Sequence, residues 1–137
     1  MYKAIMIPVD LEHSDQLKKA LSIGADLALH YNTDLFAVGV TSGAPSAVAH
    51  SPSEYAQKLE AFAAEQSAIH GVEFKAKAME SHDPAVDLDD TLQKAGSEIG
   101  ADLVVMASHV PNFIDYILSS RAGYLASHSD LSVSVVR

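Results

Sequence analysis

Short apolar runs alternate along this chain with longer stretches whose apolar residues recur every three or four positions. Residues 3–9, Lys-Ala-Ile-Met-Ile-Pro-Val, are too brief for a helix and predict a first strand. Across residues 14–30, Leu17, Leu21, Ala25 and Ala28 share one face, which predicts a helix with Ser14 as its N-cap. Residues 34–41 read as a buried second strand, followed by a polar, small-residue loop from Ser42 to His50. Ser51, Pro52 and Glu54 give the next helix a capping-box start with proline at its first position. Tyr55, Leu59, Phe62 and Ile69 then follow at helical spacing until Gly71 ends the helix. Residues 72–79 predict strand three. Asp83 and Pro84 open a third helix with Leu88, Leu92, Ala95 and Ile99 on its apolar face and Gly100 as its stop. Residues 102–107 predict a fully buried fourth strand, 119–128 a last helix, and 131–136 a fifth strand.

Strands alternating with helices predict an α/β domain whose single five-stranded sheet is parallel, joined by right-handed crossovers. Nearly continuous apolar strands predict that helices cover both faces, a doubly wound, Rossmann-like arrangement. Such a sheet takes ligands beyond the carboxyl ends of its strands, where the strand order reverses. With the order 3-2-1-4-5, that crevice lies between strands one and four. The residues leaving those strands are Val9 and Asp10, and Ala107, Ser108 and His109.

Composition narrows the function classes. With 137 residues, 48% of them hydrophobic, the chain can bury the core of one domain. Nine basic against 18 acidic residues leave a net charge of −9, which repels phosphate backbones and anionic lipid, so neither nucleic acid nor a membrane is an expected partner. No apolar run reaches the roughly 18 residues of a membrane span, and no signal segment opens the chain. The absence of cysteine removes disulfides and thiol chemistry and fits a reducing, cytoplasmic setting. The seven histidines show no H-E-x-x-H spacing, so no metal site is expected. A hydrolase would need a G-x-S-x-G elbow, and an adenylating enzyme an S-G-G-x-D-S loop; neither occurs.

The opening Ile-Met-Ile-Pro-Val-Asp, the fourth-strand Ala-Asp-Leu-Val-Val-Met-Ala-Ser-His and the closing Ser-Val-Ser-Val-Val-Arg resemble the universal stress proteins across residues 1–137. The variant Ala-Ser-His-x-Pro resembles one subgroup of that family. The resemblance implies a dimeric regulatory protein of the stress response with an adenine-nucleotide site for ATP or AMP, and Mg²⁺ only together with the nucleotide. Nucleotide-binding members carry G-x-x-G after strand four, then a spacer and G-[ST], which lets the backbone approach the phosphates. Here Ala107 and Val110 stand at the first two glycine positions and Ser119 at the third, followed by Ser120, with a spacer one residue short. No glycine occurs between Gly100 and Gly123.

The implied nucleotide site therefore comprises Pro8, Val9, Asp10, Val40, Ala107, Ser108, His109, Val110, Ser119, Ser120, Arg121 and Ala122. Asp10 would accept a hydrogen bond from an adenine amino group or a ribose hydroxyl; equally, it would cap the turn that ends strand one. Val40 would offer backbone groups to adenine, or be plain core. Ser119 and Ser120 suit either a helix N-cap or an anion site. Arg121 in that first helical turn opposes the dipole at about 0.5 kcal/mol, a cost that a phosphate or a nearby carboxylate would offset. Val110 and Pro111 stiffen the loop, and the proline removes a donor. The last strand alternates Leu131, Val133 and Val135 with serines. As an edge it invites pairing, and the resemblance implies a two-fold homodimer along it. Two function classes remain: a nucleotide-sensing module with at most slow ATP hydrolysis or autophosphorylation, or a nucleotide-independent dimer that contacts a regulatory protein partner.

Overall fold

The computed structural model describes residues 1–107, 126 and 129–137. Its five strands are β1 (Ala4–Val9), β2 (Asp34–Thr41), β3 (Phe74–Glu80), β4 (Leu103–Ala107) and β5 (Ser132–Val136). They form one parallel sheet, as the alternation predicts, and its order is the expected β3-β2-β1-β4-β5. Among the described residues three α-helices connect them: α1 (Lys18–Tyr31), α2 (Pro52–His70) and α3 (Pro84–Ile99). No helix among those residues is long and apolar enough to cross a membrane.

Every residue of the central β1 is buried, because helices cover it on both sides. On one face Ile5, Ile7, Leu21, Leu35 and Leu59 join α1 and α2 to the sheet. On the other, Met6, Val38, Leu88, Leu92 and Met106 lie under α3. At the amino-terminal edge the backbone N–H groups of Lys3 and Ala4 donate to the Asp102 carboxylate at 3.0–3.3 Å, tying the start of β1 to the turn before β4.

The helix-end signals hold at α2. Ser51 Oγ accepts from the Glu54 N–H at 3.1 Å, and the Glu54 carboxylate reaches back to the His50 N–H at 3.1 Å. Gly71 and Gly100 close α2 and α3 with φ of 68° and 70°, where a side chain would be strained.

Several details differ from the prediction. Ser14 caps nothing. The chain leaves β1 through a 3-10 segment, Leu11–Leu17, capped instead by Asp10, and α1 begins only at Lys18. Asp10 stands two residues before the first free N–H groups and takes one of them, so the cap falls earlier than Ser14. Strand three begins at Phe74 rather than residue 72. Ile69 is 62% exposed: the buried face of α2 runs through Tyr55, Leu59, Ala63 and Gln66.

Candidate functional site

The crevice starts where β1 and β4 part. Pairing between them is limited to Ile5↔Leu103 and Met6↔Val104, whereas β1–β2 pairing continues to Val9↔Gly39. Pro8 explains the asymmetry, because it has no N–H with which to extend the ladder. Alternate residues of a parallel strand address opposite neighbours, so one proline ends the pairing on one side and spares the other. Pro8 and Val9 are buried in the floor of this seam, and Ala107 ends β4 beside it at 6% exposure. Val40 is half-buried, its side chain packed into the cluster beneath α3 and its backbone within β2. Ser108, His109, Val110, Ser119, Ser120, Arg121 and Ala122 lie outside the described residues.

Asp10 serves the turn and stays partly exposed. Its Oδ1 accepts from the Glu12 N–H at 3.0 Å, and its Oδ2 meets His13 Nδ1 at 3.0 Å. A carboxylate offers about four lone-pair directions, so two engagements leave acceptor capacity for a ligand. The side chains of His13 and Asp10 are 27% and 22% exposed, so solvent reaches the pair.

The hydrogen bond to Asp10, helped by the charges of Asp10, Glu12 and Asp15, raises the His13 pKa. A raised folded-state value means the pair contributes below the unfolded histidine's pKa and stops contributing as pH rises through the folded one. An NMR titration should place the His13 midpoint above that of an ordinary histidine and return it towards the ordinary value in Asp10→Asn. An ordinary midpoint in the wild type would show that the pair does not form.

Sequence reasoning missed two residues, His13 and Tyr55. Asp10, Glu12 and His13 bring ligand-type atoms within 4.8 Å of one another. The spacing resembles no metal motif, and the Asp10–His13 hydrogen bond already accounts for the contact. Tyr55, read as part of an apolar helix face, reaches across to Gly39, which pairs with Val9 just before Asp10. A Cβ on Gly39 would lie 2.3 Å from the Tyr55 hydroxyl. The available signal was the glycine itself, since a glycine inside an apolar strand marks a close approach. Burial pushes the Tyr55 phenol pKa up, and the carboxylates of Asp10 and Glu12 add to the effect, so the phenol is neutral and keeps its proton to donate.

Comparison with known proteins agrees with this architecture. The model of the universal stress protein family matches residues 1–137. Universal stress protein G of Shigella flexneri is 30% identical, with both chains covered completely. Among solved structures, a universal stress protein from Archaeoglobus fulgidus in complex with dAMP superposes with a TM-score of 0.67 at 19% identity, covering 99% of this chain and 98% of that one. A universal stress protein in complex with cAMP gives 0.68 at 17% identity, covering 99% and 97%.

Proposed function

This chain belongs to the universal stress protein family, and on that premise we propose that it is a regulatory module binding an adenine nucleotide, AMP or ATP, beyond the carboxyl ends of β1 and β4. The observation that carries the reading is Asp10, a partly exposed carboxylate with spare acceptor capacity, set where Pro8 ends the β1–β4 ladder. The nucleoside would lie between Asp10 and the backbone at Val40. The phosphates would fall to the chain following Ala107 and to Ser119–Ala122, with Mg²⁺ arriving on the phosphates. The dAMP and cAMP complexes of two relatives with this fold support the ligand class. The lack of cysteine suits action in the cytoplasm.

Calorimetry and thermal shift with AMP, ADP and ATP, with and without Mg²⁺, test the reading. A nucleotide at 100 times its Kd should stabilise the fold by about 2.7 kcal/mol. Asp10→Asn keeps an oxygen to cap the Glu12 N–H but puts an amide donor where Oδ2 accepted. It should weaken AMP binding by about tenfold with little loss of stability. No response to any nucleotide would contradict the reading. It would favour a nucleotide-independent interaction module, which the glycine-free stretch from residue 101 to 122 also fits.

The functional unit in either reading is a homodimer built on β5. The two sheet edges differ in kind. On β3, Lys75 pairs with Asp34 at 3.3 Å and Lys77 with Glu98 at 2.9 Å, the charged pattern that discourages strand addition. β5 carries only serines and valines, with Leu131 buried beneath it, Val133 half-buried and Val135 37% exposed. Wild-type protein should sediment as a dimer and Val135→Asp as a monomer. A monomeric wild type would contradict the interface.

A further inference from the structure

We propose that Tyr55 is a direct ligand contact in this crevice, its hydroxyl donating to a ring nitrogen of the purine while Asp10 accepts from the neighbouring exocyclic amino group. The inference rests on the adenine-nucleotide reading above and names the edge of the base that the site reads.

The first argument is the space made for the oxygen. A Cβ at position 39 would stand 2.3 Å from the Tyr55 hydroxyl but 3.1 Å from the nearest ring carbons. The missing side chain at position 39 relieves the phenol most at its oxygen, the atom that a Cβ would meet most closely. The second is that the ring is held in the core, with Tyr55 only 6% exposed, so the phenol is fixed where it stands. The third is position. Gly39 pairs with Val9, so the phenol tip stands at the carboxyl end of β2, one residue from where Asp10 leaves β1. The phenol's ionisation responds to the carboxylates of both Asp10 and Glu12, which places it in their field.

A neutral phenol and a carboxylate at the same end of the sheet offer one donor and one acceptor to a ligand edge. Adenine supplies the complement, a 6-amino donor flanked by ring-nitrogen acceptors. Hypoxanthine replaces that amino group with an oxygen, which would face the Asp10 carboxylate and be repelled.

Tyr55→Phe removes only the oxygen and keeps the ring in the core. Calorimetry should show AMP bound about tenfold more weakly, with the melting temperature little changed. Among deaza analogues of AMP, the one lacking the contacted nitrogen should bind wild type and Tyr55→Phe equally, and wild type should prefer AMP to IMP. Equal AMP affinity in the two proteins would overturn the inference while leaving the nucleotide reading intact. So would an identical loss for every deaza analogue, which would mark a packing effect or a contact elsewhere on the nucleotide. A wild type that binds no adenine nucleotide would remove the reading itself and this inference with it.

Discussion

Leu59→Ala should lower the unfolding free energy by about 3 kcal/mol, the usual cost of a leucine-sized cavity. Leu59 is fully buried midway along α2, in the cluster that joins α1 and α2 to the sheet. Against a typical stability of about 5–15 kcal/mol this is a large fraction, and the melting temperature should fall by about 10 °C. Ile69→Ala on the same helix should change stability by less than about 0.5 kcal/mol, because its side chain faces water. Helical spacing alone puts both residues on one apolar face. Equal losses in denaturant unfolding would show that α2 is rotated from the position described here.

Gly39→Ala should cost about 2 kcal/mol, as overpacking at a site with no slack usually does. The new methyl would stand 2.3 Å from the Tyr55 hydroxyl, against a strand that pairs on both sides and cannot retreat. Adding Tyr55→Phe removes the oxygen and leaves contacts of 3.1 Å to ring carbons. The double variant should therefore recover about 1 kcal/mol of the loss, a coupling well above the error of a double-mutant cycle. Strictly additive losses would mean that the phenol does not rest on Gly39.

Most of the architecture was legible in the order of elements. Five apolar runs separated by helical spacings leave a doubly wound sheet as the natural arrangement, and Leu17, Leu21, Ala25 and Ala28 are all buried as their spacing predicts. Gly71 and Gly100 were readable because a positive φ favours glycine, although α1 closes in the same left-handed region on Asn32, at φ 51°. The exit from β1 was not legible. Asp10 and Ser14 are both good caps by residue type, and only the fold decides which meets a free N–H. Ile69 was misjudged because a helix longer than its contact with the sheet leaves apolar positions uncovered at its end.

The site divides in the same way. Asp10 was readable from its place after the first strand, since topology alone sends that strand's end into the crevice. Tyr55 and His13 were not, because what matters is a contact between elements. The Tyr55 ring crosses from α2 to β2, and the His13 imidazole turns back on Asp10 through an irregular backbone (φ −130°, ψ 36°) that no local preference predicts. Pro8 entered the candidate site through the family resemblance. The structure adds a mechanical reason for it: a proline in the central strand opens the seam on the β4 side.

The most direct test of the nucleotide site is an amide-resolved NMR titration with AMP. Binding in the crevice should shift the backbone signals of Asp10, Leu11 and Glu12, of Gly39 and Val40, and of Ala107, while β3 and the outer face of α2 stay unchanged. Saturable binding that moves the β3 and α2 signals and leaves those of Asp10 and Gly39 in place would contradict it.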